Sequence, residues 1–209
     1  AVDGEGHITA LDVQDLQGLG AVSIYPRSST AEAASVMRAL GAPYRIPSGR
    51  IRIDSVLQNK VPTGQYRAVG APVGIAMTEH LVDKAARARG EDPVAFRARN
   101  VFPPAAMPAR SCFGAVMHGL DHPAVLASAE ALMDLPALRA EIAAGRAAGR
   151  LLGLGVAIAV EFTASGPANY GTAHVPVAAT DTVVAPLEPT GEISAQSSIT
   201  EIGQGVTQG

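Results

Sequence analysis

The sequence predicts an α+β protein, mixed strands and helices in the order strands, helices, strands. Three observations lead there. Apolar and polar residues alternate at Ile8, Ala10, Leu11 and Val13, and again at Ile51–Asp54, a period of two. From Pro72 the apolar residues Val73, Met77, Leu81, Ala85 and Ala88 recur every three or four positions, as on one face of a helix. After residue 150 the composition returns to short apolar runs broken by Gly and Pro. No internal repeat is visible. The chain reads as one region, 1–209, with a possible sub-boundary near 150.

The elements follow in order. Residues 5–24 read as one long or two short strands, centred on 6–24. "SSTAEAASVMRALG" (28–41) reads as a short helix, with a Ser/Thr cap, Glu32 in the first turn and Gly41 as the stop. Residues 44–64 are extended. The clearest helix spans 72–89 and ends at Gly90. A second helix starts at Asp92-Pro93, a capping residue followed by the imino acid that suits the first helical position. Residues 101–121 read as loop. Ala-rich helices cover 121–133 and 135–149. "LLGLGVAIAVEFTAS", "GTAHVPVAAT" and a pair of strands around Pro189-Thr190-Gly191 complete a β region over 151–198.

Composition narrows the function. The chain has 209 residues, 47% hydrophobic and 17% charged, so a substantial core can form. A formal net charge of −3 argues against a nucleic-acid partner, because phosphate binding needs a basic surface. The one cysteine, Cys112, permits no internal disulfide and no multi-cysteine site. The longest apolar run, residues 151–160, is strand-length and Gly-broken, so no membrane span is expected. No signal peptide is visible. The first residue is Ala and the last are Gly-Gln-Gly-Val-Thr-Gln-Gly, so a piece of a longer polypeptide is expected.

Few residues present themselves for chemistry. His7, His80, His118, His122 and His174 are scattered, without ligand spacing, and no protein-ligated metal is expected. Cys112 has no base beside it and reads as a small semi-buried residue. Glu79, Asp83 and Arg87 fall one turn apart and read as a charge ladder on a helix surface. Two stretches remain. In "PTGQYRAVGAP" (62–72) an Arg sits among small residues just before a helix N-terminus, where free N–H groups and the helix dipole favour an anion. In "TEIGQGVTQG" (200–209) glycines flank a Gln whose amide both donates and accepts.

Taken together these stretches resemble the molybdenum-binding large subunit of the xanthine oxidase, aldehyde oxidase and carbon monoxide dehydrogenase family. The likeness rests on Tyr66-Arg67, Gly70 and Pro72, then Glu79 and Asp83, then Gly90, Asp92-Pro93, Arg97 and Asn100, and finally Gly203-Gln204-Gly205. It extends over nearly the whole chain, and the 66–100 pattern is its specific part. The resemblance implies the α+β fold of the molybdenum cofactor-binding region. It implies a molybdenum–molybdopterin cofactor, in the cytosine dinucleotide form if the source is bacterial. Arg67, Ala68, Gly70, Gly203, Gln204 and Gly205 would lie against that cofactor, and Val69 against the substrate. Glu79, Asp83 and Arg97 would be structural. Iron–sulfur and FAD subunits or domains, the rest of the large subunit and a small-molecule substrate would be the partners, in a cytoplasmic enzyme.

The implied reaction is oxidative hydroxylation of an aldehyde or N-heterocycle with water as the oxygen source. No catalytic residue is expected in this chain, because the family's general-base glutamate lies outside it. Ala68 replaces a loop glycine of the family, and Val69 replaces the Phe of its purine-oxidising members. The loop has no cysteine to match the copper ligand of carbon monoxide dehydrogenase. These departures keep a second reading open, a non-catalytic binding or assembly module that retains the fold.

Overall fold

The computed structural model describes residues 1–24, 29–161, 182–206 and 208. The chain forms two compact units, residues 1–161 and 162–209.

In the first unit, β1 (Ala10–Leu19) and β2 (Ser48–Leu57) pair in parallel, with Val13 opposite Ile51 and Leu19 opposite Leu57. Parallel neighbours need a crossover, and helix α1 (Ala31–Ala39) lies within it. Residues Leu11, Val13, Gln17 and Leu19 of β1 turn inward. On β2 the expected alternation holds at its centre, with Ile51 and Ile53 half-buried between exposed Arg52 and Asp54. The 6–24 region therefore yields one strand rather than two.

Helix α2 (Ala71–Arg89) begins at the Gly70 cap and ends on Gly90, whose φ of 68° is the left-handed stop glycine allows. Its buried face is not the one the hydrophobic spacing predicts. Ala71, Gly74, Thr78, Val82 and Ala86 are buried, whereas Val73 and Leu81 are each more than a third exposed. The seam is rotated by one residue because α1 packs closely there. A Cβ on Gly70 would come within 2.2 Å of the Glu32 carbonyl oxygen, and one on Gly74 within 2.6 Å of that of Val36. Thr78 Oγ1 ties the seam, donating to the Gly74 carbonyl (2.8 Å) and accepting from the Gly41 amide (2.9 Å).

Helix α3 (Pro93–Asn100) starts as read, with Asp92 accepting from the Val94 and Ala95 amides at 3.0 Å each. The expected loop at 101–121 contains a two-residue hairpin, β3 (Ala109–Arg110) with β4 (Val116–Met117). Helices α4 (His122–Met133) and α5 (Leu135–Ala147) follow, capped by Asp121 and Asp134. The short α1 has Thr30 at its cap, without a side-chain cap bond. The core joins Leu11, Val13, Leu40, Tyr44, Val82, Phe96, Leu126, Leu135 and Ile158.

The β region differs most from expectation. Residues 151–160 alternate in burial like a strand but join no ladder among the described residues. Expected strands over 162–181 lie outside the described residues. In the second unit, β5 (Val183–Val184) and β6 (Gln196–Ser197) pair around the expected Pro189-Thr190-Gly191 turn, where Gly191 has φ 86°.

Candidate functional site: a strained loop on a buried ionic frame

The frame comes first, because it holds the helix that carries the loop. Glu79 is not on a charge ladder. It is 6% exposed, and Arg97 is fully buried beside it. Arg97 Nε donates to Glu79 Oε2 at 2.9 Å, and Arg97 Nη1 donates to Asp83 Oδ1 and to the Pro93 carbonyl, both at 3.1 Å. Tyr44 Oη donates to Glu79 Oε1 at 2.6 Å. Burial, reinforced by the Glu79 carboxylate, drives the Tyr44 phenol far above its ordinary pKa, so it stays a donor. Asp83 does bridge to Arg87 (2.7 Å), so only that half of the ladder exists. The sequence period placed Glu79 outside because the true seam lies one residue on.

Asn100 extends the frame to the chain's beginning. Its Nδ2 donates to the Gly6 and Phe96 carbonyls at 2.9 Å each, and its Oδ1 accepts from the Ile8 amide at 2.8 Å. Three side chains thus secure α3 in three different ways. Asp92 caps it, Arg97 binds it to α2, and Asn100 binds it to the segment before β1. Tyr44 completes the set, and no local spacing singles it out.

The loop sits at the free end of α2. Ala68 has φ 65° and Val69 φ 53°, both left-handed. That region disfavours L side chains, and a β-branched one most. Ala68 thus holds a backbone conformation that suits glycine without being one. Hydrogen bonds from the Val69 amide to the Tyr66 carbonyl (2.8 Å) and from the Ala71 amide to the Ala68 carbonyl (2.9 Å) hold the bend. Such strain persists where the surroundings over-determine it, and it concentrates at ligand sites. Arg67 is exposed and has no ion-pair partner among the described residues. Val69 is half-buried, and buried Gly70 is committed to its contact with α1.

The second stretch is described on its own, in the second unit. Gly203 (φ 96°) and Gly205 (φ 78°) turn their amides onto one oxygen, Glu201 Oε1, at 2.6 and 3.1 Å. Two N–H donors thus converge on one carboxylate oxygen of the same loop. Gln204 Oε1 accepts from the Ile202 amide (2.6 Å), and Gln204 Nε2 donates to the Thr200 carbonyl (2.9 Å). One Nε2 hydrogen has no partner among the described residues, and Gln204 is exposed.

Cys112 is half-buried, and burial raises its thiol pKa, which leaves it a poor nucleophile. No cluster of three metal-ligating side chains occurs among the described residues.

Residues 1–101 match the molybdopterin cofactor-binding domain. The chain is 28% identical over 207 residues to the nicotine 6-hydroxylase large subunit of Paenarthrobacter nicotinovorans, covering 98% of this chain and 25% of that protein. It is 29% identical over 167 residues to the carbon monoxide dehydrogenase large chain of Hydrogenophaga pseudoflava, covering 78% of this chain and 21% of that one. Its fold matches the crystal structure of quinoline 2-oxidoreductase from Pseudomonas putida 86 with a TM-score of 0.85 and 29% identity, over 97% of this chain and 26% of that chain. Carbon monoxide dehydrogenase from Oligotropha carboxidovorans, at 21% identity and TM-score 0.74 over 96% of this chain and 26% of that one, shares the fold. The chain spans about a quarter of the length of these relatives. The domain match over residues 1–101 and the end-to-end likeness make the chain similar to the molybdenum-binding large subunits of these oxidoreductases.

Proposed function

We propose that this chain supplies part of the molybdenum–molybdopterin site of an enzyme that hydroxylates an N-heterocycle or an aldehyde with oxygen from water. The observation that carries the reading is the strained loop Arg67–Gly70 at the start of α2, within the stretch that matches the cofactor-binding domain. The residues fit such a group. Arg67 offers exposed charge-assisted donors, and the α2 N-terminus offers its dipole to an anion. Gly203 and Gly205 offer two amides already converged on a carboxylate oxygen, which the cofactor would replace. The spare Gln204 donor would meet an oxo or pterin group.

Bound there, a molybdenum cofactor would supply the two-electron redox chemistry that hydroxylation with water-derived oxygen needs. This chain's part is to hold and orient. Arg67 on the first unit and, separately, the glycine amides on the second would each neutralise anionic oxygens, and donors already set in place would need little reorganisation during reaction. Val69 forms part of the substrate wall. It lacks the aromatic face that purine-oxidising members present, which favours other heterocycles or aldehydes. The names of two relatives, a nicotine hydroxylase and a quinoline oxidoreductase, point to N-heterocycles. The general base, the iron–sulfur and FAD groups, and the cytosine dinucleotide form of the pterin belong to this reading as parts of the complete enzyme.

The test uses the complete enzyme, purified with its redox partners. Molybdenum content near one per large subunit is expected. So is dye reduction with a panel of N-heterocycles and aldehydes, and incorporation of oxygen from labelled water. Arg67→Ala should lower cofactor content. Stoichiometric molybdenum in Arg67→Ala and in Gln204→Ala alike would remove both residues from the site. An enzyme without molybdenum would end the reading.

A further inference from the structure

Residues 151–160, Leu-Leu-Gly-Leu-Gly-Val-Ala-Ile-Ala-Val, are built as a strand but lack a neighbour. Leu152, Leu154 and Val156 are half-buried and Ile158 and Val160 buried, while the residues between them are exposed. From 153 to 160 no backbone amide or carbonyl has a hydrogen-bond partner among the described residues. Unpaired peptide groups beside an apolar core are costly, and an open strand edge is a template for another strand. The outward residues are Gly153, Gly155, Ala157 and Ala159, and no charge occurs in the ten. A strand apolar on both faces has the pattern of one covered on both sides. Glycines within it mark places where another backbone comes close.

A cavity of about 340 Å³ lies beside this segment, against α4. Val125, Leu126 and Ala129 wall it on the helix side, and the consecutive residues 156–159 on the other. Inward and outward residues of the segment both line it, so it follows the strand's edge rather than one face. His122, 6% exposed and with Nδ1 unpartnered among the described residues, lies in the same wall.

We infer that an extended polypeptide segment adds to the edge at 153–160, pairing backbone to backbone and seating apolar side chains in the cavity against α4. The occupant is a strand from the rest of a molybdenum hydroxylase large subunit, since relatives matched along nearly all of this chain have about three quarters of their length outside the match. The source of the strand rests on the functional reading above. The open edge itself does not.

The experiment is amide hydrogen exchange on the 209-residue chain alone and in complex with the co-expressed remaining large-subunit polypeptide. Amides 153–160 should exchange quickly in the chain alone and at least about 100-fold more slowly in the complex. Gly155→Pro removes a donor that has no partner in this chain. It should leave the unfolding midpoint of the chain alone unchanged and weaken the complex at least about tenfold. Slow exchange in the monomeric chain alone would overturn the inference, because the chain would then pair with itself. Protection that appears only with dimerisation would assign the edge to a second copy, and fast exchange in both samples would leave it unpaired; each refutes the proposal. Molybdenum content of the same complex separates the two readings. Protection without molybdenum sinks the function and keeps the strand, and fast exchange in a molybdenum-replete complex does the reverse.

Discussion

Glu79→Ala tests whether the ionic frame holds the first unit together. The substitution removes the acceptor of Tyr44 Oη and of Arg97 Nε at once. Arg97, fully buried, keeps only Asp83 as a carboxylate partner, and the Asp83 side chain is 22% exposed. Breaking a buried pair from one side costs about 3–5 kcal/mol, because a desolvated charge is left under-compensated. The remaining contact with Asp83 sets the expectation near the lower end, about 3 kcal/mol. Asp83→Ala, which loses one partly exposed contact to Arg97 and the i, i+4 pair with Arg87, should cost about 1 kcal/mol. Every helix among the described residues is in the first unit, so far-ultraviolet circular dichroism under urea reports that unit. Glu79→Leu with Arg97→Met and Tyr44→Phe should recover most of the loss, since a buried pair replaced whole by apolar groups is often neutral. Equal costs for Glu79→Ala and Asp83→Ala, or a cost below about 1 kcal/mol for the former, would refute the frame.

The other expectations are brief. Burial lowers the pKa of His122, so the folded chain binds fewer protons than the unfolded one. Its contribution is therefore present above the ordinary pKa of 6.5 and is lost as pH falls below it, and His122→Leu should flatten that acid limb of a melting-temperature profile. Ala68→Gly should stabilise the first unit by about 0.5–1 kcal/mol in urea, because the φ of 65° suits glycine; a loss would show the strain is absent. The 209-residue chain alone should bind no molybdenum cofactor tightly, since most contacts of the family's site lie elsewhere; about one equivalent of metal in it, by elemental analysis, would contradict this. In the complete enzyme Val69→Phe should shift preference toward purines through a stacking face, read as kcat/KM on xanthine against other heterocycles, and xanthine as the best substrate before the change would refute the Val69 assignment.

What the sequence revealed was local. The Asp92-Pro93 start, the Gly90 stop and the Pro189-Thr190-Gly191 turn are each decided by a few adjacent residues, and each stands in the structure. The face of α2 depends on its neighbour instead. Apolar spacing favoured Val73, Met77 and Leu81, but Gly70 and Gly74 let α1 approach so closely that the adjacent face became the seam. A seam made of Gly, Ala and Thr carries little hydrophobic signal. The parallel pairing of β1 with β2 joins segments separated by a whole helix, which no period reports. For 151–160 the alternation in burial is there, but no ladder forms among the described residues, and a period of two reports burial rather than pairing.

The same division explains the candidate site. Arg67 stood out because a lone cation on a small-residue loop is a chemical anomaly at once visible in sequence. Glu79 and Arg97 did not, because a carboxylate and a guanidinium at helical spacing look alike on a surface and in a core; only three-dimensional packing separates them. Yet the two sets depend on each other. The left-handed pair at Ala68 and Val69 is strained, and strain relaxes unless the surroundings hold it. On one flank, Gly70 and Gly74 seat α2 against α1. Farther along the same helix, Glu79 fixes α2 to Tyr44 and to Arg97 of α3. The loop can therefore keep a conformation its side chains disfavour, with Arg67 held outward on a rigid helix end rather than on a free segment. A residue with no ion-pair partner among the described residues and residues with three or more hydrogen bonds are thus linked through α2: the buried charges hold the helix in place, and Arg67 stays exposed just before it.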